Sequence, residues 1–322
     1  MNKPKTGFDS QGNQNLSSST RTDLKQQPWG EGNPFDLENT DAYERWRAWK
    51  LDSLERHLAS DVVIEIPDPA HPDQAAVDKD FHACEVANMA LFRTPDNQLA
   101  DRHTFRRFMT ALGFRTLRGH LLADDDDIST ITPTDRSTVK GEYIPYTGKA
   151  LNWHTDGYYH EADNPIRSMT LYCAHQASTG GESAFLDPDI IYMRLRDENP
   201  DFIQALMRPD AMTVPANTLG GKEIRPARSG PVFMVDTDSG RLSMRYTART
   251  VSIEWPDDDG MNAARAALEK LLSDTDGDPM IVRRRLSAGE GIICNNVLHK
   301  RSSFEDPTRV LYRGRFSNRV GA

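Results

Sequence analysis

The sequence has few cysteines, no long apolar run and an excess of negative charge. Three cysteines in 322 residues, Cys84, Cys173 and Cys294, argue against a disulfide scaffold and are expected to be reduced core residues. No apolar run reaches transmembrane length, and the first residues lack the apolar segment of a signal peptide. A net charge of -9 argues against a nucleic-acid partner. We therefore expect a cytoplasmic protein whose partner is neither membrane nor nucleic acid.

The chain divides into a polar N-terminal segment and one long domain. Residues 1–28 are rich in Asn, Gln, Ser, Thr and Lys, which predicts a disordered tail. The remaining residues, 29–322, are enough to form one sizeable core. Helices are expected at residues 41–57, 74–92 and 98–112, with Asp41 capping the first, and a strand at residues 62–66.

The middle of the chain is predicted to be an insertion between two halves of a site. Residues 187–207 and 260–272 have a largely helical pattern, and residues 232–235 and 242–253 are typical of a hairpin. The segment 208–230 combines prolines, a glycine pair and several cations. It is either a lid that closes over substrate or an ordinary surface loop. The carboxylate run at residues 124–127 could bind cations, although a solvated loop is favoured.

His154 and Asp156 form the most informative pattern, because residues two apart on a strand point to the same face. The residues around His154 are strand-compatible and aromatic, so one short strand is predicted to supply both side chains. The same pattern occurs at His71 and Asp73, where the neighbouring prolines indicate a loop. Taken alone, the pattern at His154 fits either a metal site or a packing role.

A second histidine and an arginine-rich segment lie near the C-terminus. Residues 292–294 have the pattern of a short buried strand that leads into His299. After it, Arg309, Arg313 and Arg315 fall on one face of a strand predicted at residues 309–316. Like charges on one face repel unless they meet water or anions, so this segment is either a solvated edge strand or an anion site. The histidines favour an anion site, and arginine suits the carboxylate of an organic acid.

Three motifs occur in the order found in a known group of enzymes. They are the Trp-His-Thr-Asp sequence at residues 153–156, the glycine-containing turn at residues 178–183, and the Leu-His-Lys-Arg sequence at residues 298–301 followed by Arg309 and Arg313. With these motifs, residues 140–318 resemble the taurine dioxygenase and clavaminate synthase group of Fe(II)- and 2-oxoglutarate-dependent oxygenases. The resemblance implies a mainly β fold with helical additions, built on a double-stranded β-helix, or jelly roll, in a single domain.

The resemblance also implies the cofactors and the reaction. His154, Asp156 and His299 would bind Fe(II), with 2-oxoglutarate and O2 as cosubstrates. The expected reaction converts 2-oxoglutarate to succinate and CO2 while a C–H bond of the substrate is hydroxylated or desaturated. The presence of Asp156 argues against the related halogenases, in which the carboxylate ligand is missing.

By the same resemblance, Arg309 would bind the distal carboxylate of 2-oxoglutarate, together with a hydroxyl from Ser183 or Thr170. Arg313 matches a position that contacts the acidic group of the substrate in taurine-type relatives. The link from His299 to Arg309 is slightly short for the family, and the clavaminate branch resembles a pattern with a later arginine. Arg309 and Arg313 therefore remain alternatives for the 2-oxoglutarate partner.

An anionic or zwitterionic small molecule, such as an amino acid or a sulfonate, suits these arginines best. The side chains expected around its pocket are Asn152, Tyr158, Tyr159, Arg249 and Arg313, with Arg245 as a weaker candidate. Two other functions use the same residues: a Zn-dependent hydrolase, which predicts no role for Arg309, and a non-catalytic jelly-roll sensor of a small acid. The sequence is also compatible with a homo-oligomer.

Overall fold

The computed structural model describes residues 27–320 apart from 115–123, 125–126, 136, 139, 162–163, 220–221, 237–238 and 250–252. The predicted tail at residues 1–28 lies almost wholly outside the described residues. Six α-helices occur within them. They are α1 (Thr40–Ser60), α2 (Gln74–Ala87), α3 (Arg102–Ala111), α4 (Pro188–Glu198), α5 (Pro200–Leu206) and α6 (Asp259–Ser273).

The described part of the chain also contains sixteen strands. In chain order they are β1 (Val63–Glu65), β2 (Met89–Arg93), β3 (Ser129–Ile131), β4 (Leu151–His154), β5 (Ser168–His175), β6 (Ser183–Leu186), β7 (Met212–Val214), β8 (Asn217–Leu219), β9 (Lys222–Arg225), β10 (Arg228–Gly230), β11 (Phe233–Val235), β12 (Leu242–Met244), β13 (Ile281–Arg284), β14 (Glu290–Cys294), β15 (Leu298–Arg301) and β16 (Val310–Phe316). The helices contain more residues than the strands, so the architecture is mixed α/β, with several sheets as expected but with more helix than the predicted helical additions to a mainly β fold.

Two larger sheets organise the fold. The first has the strand order β1-β2-β14-β5-β16-β3, and the second has the order β13-β6-β15-β4. Neighbouring strands are antiparallel except β1 and β2, which are parallel. Three two-stranded sheets pair β7 with β10, β8 with β9, and β11 with β12.

The two larger sheets share one hydrophobic core. Leu171 and Ile292 from the first sheet and Phe185 and Leu298 from the second belong to one buried cluster. Successive residues of a strand point to opposite faces, so Tyr172, next to Leu171, belongs to a second cluster with residues of α2 and α3. The first sheet is therefore covered by helices on one face and by the second sheet on the other.

The N-terminal helices differ from expectation at their ends. α1 begins after Asn39, whose side chain accepts a hydrogen bond from the backbone N–H of Ala42, so Asn39 and not Asp41 is the cap. α2 ends at Asn88, which has a left-handed φ of 55°. The apolar residues that follow were predicted as helix, but they form β2 and pair with β1 and β14. A short apolar run is compatible with helix or strand, and here the pairing with neighbouring strands decides the structure.

The central insertion largely follows the prediction. Residues 187–207 form α4 and α5, which Asn199 separates by capping the second helix, and α6 covers the predicted residues 260–272. β11 and β12 form the expected hairpin, although β12 ends at Met244 and residues 250–252 lie outside the described part. The carboxylate run falls partly on undescribed residues, and within it Asp124 pairs with Arg102 and Lys140.

The segment 208–230 is built from strands. β7 pairs with β10 and β8 with β9, whereas the glycine pair at 220–221 lies outside the described residues. Arg245 anchors the segment by donating to the backbone carbonyls of Met212 at 2.9 Å and Arg228 at 2.9 Å. Arg245 therefore has a structural role, and movement of the segment as a lid stays a prediction.

A buried polar network fastens the helices to the sheets. Lys50 of α1 lies 2.6 Å from Asp187 and 2.8 Å from Asp189 at the start of α4. Asn88 donates to Asp187 at 2.9 Å, and Arg319 near the C-terminus donates to Asn88 at 2.9 Å. Buried charges of this kind are tolerated only when they are paired and hydrogen-bonded, so the network fixes how these segments meet.

Three other predictions concern the cysteines, the pattern at His71 and membrane-spanning segments. The three cysteines are free and buried, as expected. His71 is exposed in a loop beside Asp68, which confirms that the second His-x-Asp pattern is not on a strand. Within the described residues, no helix combines the length and the apolar character needed to cross a membrane.

Asp80 of α2 generates a pH prediction for stability. Its carboxylate is buried, neither oxygen has a hydrogen-bond partner among the described residues, and burial raises its pKa to about 7. Because the folded pKa exceeds the unfolded value of 3.8, this group should lower the free energy of unfolding as pH rises from about 4 to 7, on the order of 4 kcal/mol in total. Urea unfolding at pH 5 and pH 8 measures the part of this change that falls between those pH values, about 3 kcal/mol.

Asp80→Asn should make the free energy of unfolding less dependent on pH over that interval. Asp78→Asn is the matched control, because Asp78 is exposed on the same helix and only accepts a hydrogen bond from Gln74. An equal pH dependence in wild type and in Asp80→Asn would contradict the prediction.

Candidate metal centre

The three predicted ligands meet at the edge of the second larger sheet. His154 is the last residue of β4 and lies opposite His299 of β15 in the antiparallel register. Their ring centroids are 4.2 Å apart. Asp156 follows two residues after β4, and one ligand atom from each of the three side chains lies within 4.8 Å of the others. The structure thus brings together the three residues that the sequence pattern singled out.

Both imidazoles present the same nitrogen to the shared space. Nδ1 of His154 hydrogen-bonds to the carbonyl oxygen of Asn152 at 2.8 Å, and Nδ1 of His299 to that of Val297 at 3.0 Å. A carbonyl can only accept, so Nδ1 carries the proton in each ring and Nε2 keeps its lone pair. A backbone carbonyl thereby fixes each ring in the tautomer that a metal ligand requires.

The surroundings keep the three groups in the protonation states that bind a metal. Burial, followed by the neighbouring His299, lowers the pKa of His154 to about 3, and burial also lowers the pKa of His299. Burial alone would raise the pKa of Asp156, but the positive charges of Arg313 and Arg315 outweigh it and hold that pKa well below its usual range. The site therefore offers two neutral imidazoles and a carboxylate, the donor set of non-haem Fe(II) oxygenases.

Asp156 is positioned by Asn296, a residue that the sequence analysis missed. β4 ends at His154, so the two ligands do not share a strand as predicted. Instead, the side-chain oxygen of Asn296 accepts from the backbone N–H of Asp156 at 2.8 Å, and its amide donates to the carbonyls of Asp156 at 2.9 Å and Ile166 at 2.8 Å. The available signal was the Asn-Asn pair before His299, because asparagine tolerates the left-handed φ of 52° found there.

The two carboxylate oxygens of Asp156 have different surroundings. Oδ1 accepts from Nη1 of Arg313 at 2.9 Å, and both side chains are buried. Oδ2 is buried without a hydrogen-bond partner in the described structure. A buried oxygen left unpaired is unfavourable unless a ligand binds it. Together with the two Nε2 atoms, Oδ2 supplies the third donor, so the residues present fit a divalent metal.

Arg309 and Ser183 lie near the turn at residues 178–183. Arg309 is 5% exposed, and its guanidinium lies over the ring of Phe304 at 4.7 Å. A Cβ on Gly181 would be 3.2 Å from Nε of Arg309, so this glycine leaves room for the arginine. Ser183 begins β6 and is buried opposite Arg301.

Thr170 is placed differently from the other candidates for the 2-oxoglutarate site. It is opposite Gly314 in the β5–β16 register, whereas Leu171 is opposite Arg313. Paired residues share a face and neighbours alternate, so Thr170 points away from the face that carries Arg313. Its hydroxyl is buried and has no hydrogen-bond partner among the described residues.

The predicted pocket residues separate into two groups. Asn152 is exposed, and only its backbone carbonyl reaches the site, through His154. Tyr158 and Tyr159, in the turn that follows Asp156, are half-buried and accept hydrogen bonds from two arginines. The donors are Arg249 to Tyr158 at 3.3 Å and Arg315 to Tyr159 at 3.0 Å.

The alternative of a solvated edge strand for residues 309–316 is wrong. β16 lies between β5 and β3, and Arg309, Arg313 and Arg315 are all buried. Arg313 reaches Asp156 and Arg315 reaches Tyr159, so two of the three guanidinium groups are directed towards the metal centre and the turn after it. These polar partners stabilise the buried guanidinium groups of Arg313 and Arg315 in the first sheet.

The contacts of Asn296 predict a defect in metal binding. Asn296→Ala should weaken the binding of Mn(II), a stand-in for Fe(II), roughly 10- to 100-fold, because Asp156 loses the group that orients it. Isothermal titration calorimetry measures the affinity. Asn295→Ala is the matched control, since Asn295 is equally buried but contacts Asn88 and Cys84. Equal losses of metal affinity in both variants would contradict the assigned role.

Proteins of similar sequence and structure are oxygenases by name. Two proteins called uridine-5'-phosphate dioxygenase, from Streptomyces sp and Amycolatopsis sp, are 27% identical over 239 residues and 28% identical over 254 residues. The matches cover 72% and 76% of this chain and 85% and 86% of those relatives.

Solved structures share the fold. The non-heme iron oxygenase OrfP in complex with Fe and alpha-ketoglutaric acid gives a TM-score of 0.56 at 17% identity, over 77% of this chain and 82% of its own. Asparagine oxygenase gives a TM-score of 0.52 at 17% identity, over 92% of this chain and 86% of its own.

A match to a family model shows which family the chain belongs to. The model described as Taurine catabolism dioxygenase TauD, TfdA family matches residues 52–315. The matched region includes His154, Asp156 and His299 as well as Arg309 and Arg313. The chain therefore belongs to the TauD/TfdA family of Fe(II)- and 2-oxoglutarate-dependent dioxygenases.

Proposed function

We propose that this dioxygenase hydroxylates a C–H bond of a small anionic or zwitterionic metabolite and releases succinate and CO2 from 2-oxoglutarate. One observation carries the proposal: Oδ2 of Asp156 is buried without a hydrogen bond, and the guanidinium of Arg309 contacts the Phe304 ring but has no ion pair or hydrogen bond within the described chain. The first requires a cation and the second an anion, which Fe(II) and 2-oxoglutarate supply.

Arg309 is the residue that we assign to the distal carboxylate of 2-oxoglutarate. Burial lowers its pKa, and within the described chain its guanidinium has neither an ion pair nor a hydrogen bond to offset this cost. A carboxylate would accept two charge-assisted hydrogen bonds from the planar guanidinium of Arg309. Ser183, buried at the start of β6, is proposed to add its hydroxyl, and Thr170 is disfavoured because it points away from the face of Arg313.

Arg313 has a different proposed role. Its Nη1 already donates to Oδ1 of Asp156, so its charge is used to hold the metal ligand ionised. Its guanidinium would lie beside the metal, and we propose that its positive charge attracts the acidic group of a substrate. Tyr158, Tyr159 and Arg249 are proposed to line the same pocket, whereas Asn152 is proposed to act through the carbonyl that orients His154.

In this mechanism the protein mainly positions the metal and the substrates. When bound, Fe(II) supplies the oxidative chemistry of the reaction, with 2-oxoglutarate and O2 as cosubstrates. His154 and His299 offer Nε2 atoms fixed by backbone carbonyls, and Asp156 offers one oxygen because Arg313 engages the other. These three residues would hold Fe(II), and the cosubstrate and the substrate C–H bond would bind beside them.

We also infer that the two larger sheets form the double-stranded β-helix expected from the resemblance. Strands β4, β5 and β6 belong in turn to the second, first and second sheets, and β13 to β16 belong in turn to the second, first, second and first sheets. A chain that passes back and forth between two antiparallel sheets is the pattern of a jelly roll.

Similar proteins suggest two kinds of substrate within the proposed class. Two sequence relatives are named for uridine 5'-phosphate, and OrfP has been crystallised with (3S)-hydroxy-L-Arg. An organic phosphate and an amino acid are therefore both reasonable probes. A Zn-dependent hydrolase would leave the buried charge of Arg309 without an explanation, and a sensor would bind a small acid without turnover.

Turnover of 2-oxoglutarate tests the proposed function. Anaerobically purified protein given Fe(II), ascorbate and air should form succinate slowly without substrate, and His154→Ala should lower the rate at least roughly 100-fold because a first ligand is lost. Succinate is measured by mass spectrometry. Binding of 2-oxoglutarate without succinate under any substrate pool would indicate a sensor, and hydrolysis with bound Zn(II) would indicate the hydrolase.

The assignment of Arg309 gives a separate prediction. Arg309→Met should raise the KM for 2-oxoglutarate at least roughly thirtyfold, the loss expected when a buried carboxylate partner, worth about 2 kcal/mol or more, is removed. Arg301→Met is the control, because Arg301 packs on the same Phe304 ring but donates to the carbonyls of Thr147 and Lys149. If Arg313→Met raised this KM and Arg309→Met did not, the assignment would move to Arg313.

A further inference from the structure

The turn that follows Asp156 is contacted by arginines from distant parts of the chain. Arg315 of β16 donates to the hydroxyl of Tyr159, and Arg249, beyond β12, donates to the hydroxyl of Tyr158. Arg249 is brought there because the segment before it runs beside β4, with Ala248 N–H donating to the carbonyl of Trp153 at 2.8 Å. Arginine side chains therefore contact the turn at both of the tyrosines that follow Asp156.

Two further arginines reach the same turn from the strand-built segment 208–230. Arg228, the first residue of β10, pairs with Glu161 at 2.5 Å. Arg225, the last residue of β9, donates to the carbonyls of Pro215 at 2.6 Å and Pro226 at 2.9 Å. These carbonyls hold the guanidinium of Arg225 in place without neutralising its charge.

Arg225, Arg228 and Arg249 lie close enough for their charges to interact. Burial is the main cause of a lowered pKa at Arg225, and the positive charges of Arg228 and Arg249 lower it further. The position of Arg225 follows from the chain, because it lies three residues before Arg228, which pairs with Glu161 in the turn that also carries Tyr158 and Tyr159. Like charges that share a partly desolvated site repel each other, and a bound anion would relieve this repulsion at Arg225.

The charge of the cluster indicates which anion fits. Three guanidinium groups face one carboxylate, Glu161, which leaves an excess of two positive charges, and neither Arg225 nor Arg249 forms an ion pair within the described residues. A phosphomonoester carries about -1.5 to -2 charges at pH 7 and three acceptor oxygens, whereas a carboxylate carries only one charge. An arginine guanidinium can also donate two parallel hydrogen bonds to two oxygens of one phosphate.

We propose that Arg225, Arg228 and Arg249 bind the phosphate of a phosphomonoester substrate, whose organic part packs against Tyr158 and Tyr159 and presents a C–H bond to the metal centre. The tyrosine rings are 5.3 Å apart and nearly perpendicular, so they offer an aromatic surface between the cluster and Asp156. This assignment rests on the proposed oxygenase function and names its substrate class.

The experiment uses the full-length protein loaded with Mn(II) and 2-oxoglutarate, and measures binding by calorimetry. Uridine 5'-phosphate and ribose 5-phosphate are the phosphomonoester probes, and uridine lacks the phosphate. We expect at least one phosphomonoester to bind, inorganic phosphate to compete with it, and uridine to bind at least tenfold more weakly. Replacing Arg225 and Arg249 together by glutamine should weaken phosphomonoester binding by roughly tenfold for each lost charge-assisted hydrogen bond.

Arg265→Gln is the matched control, because Arg265 is an exposed arginine of α6 that pairs with Glu269 at 2.7 Å. It should leave phosphomonoester binding unchanged. The phosphate subsite is wrong if neither phosphomonoester binds the wild-type protein, or if the double variant binds as tightly as wild type with an unchanged Tm.

Succinate formation without substrate separates this assignment from the proposed function. Normal succinate formation without phosphomonoester binding would overturn the subsite and leave the oxygenase function intact. Phosphomonoester binding that depends on the arginines, with no succinate from the wild type, would support the subsite and overturn the oxygenase function.

Discussion

The buried ion pair between Asp156 and Arg313 is the interaction on which the rest of the site depends. A carboxylate removed from water needs a positive partner, and a guanidinium on an internal strand needs a negative one. Arg313 satisfies only one oxygen of Asp156, so the other remains available to a metal. The pair also joins the first sheet, which carries Arg313, to the turn that leaves the second sheet after His154.

Two adjacent asparagines connect this site to the helical part of the molecule. Asn296 holds the backbone of Asp156 from both sides, whereas Asn295 donates to Asn88 and accepts from the backbone of Val320. Asn88 in turn belongs to the buried network of Lys50, Asp187 and Asp189. The helices packed around the sheets therefore hold the loop that positions a metal ligand.

Local charge in this protein is opposite to its net charge. The chain carries -9 overall, yet arginines are concentrated around the metal centre, along β16 and at the turn after Asp156. A local positive field in a partly desolvated site attracts small anions, whatever the overall sign. The remaining acidic residues lie mostly elsewhere, as in the surface pairs of Arg208 with Asp210 and Asp258.

The sequence by itself determined the candidate metal ligands, the family and most of the strands that carry the site. His154, Asp156 and His299 could be identified because ligand chemistry restricts the residue types, and the arginine spacing of residues 309–316 added a second constraint. The sequence also predicted the strands β14 and β16 and the helices of the insertion, because their apolar patterns are local.

Only the tertiary structure decided which groups surround those ligands. β4 ends before Asp156, and Asn296 replaces the strand as the group that orients it, from 140 residues away. The apolar residues after Asn88 form a strand because β1 and β14 pair with them. Arg249 reaches the turn after Asp156 because the segment before it pairs with β4, and Arg228 reaches the same turn from β10. Contacts between residues so distant depend on how the sheets pack, and no local pattern of residues encodes them.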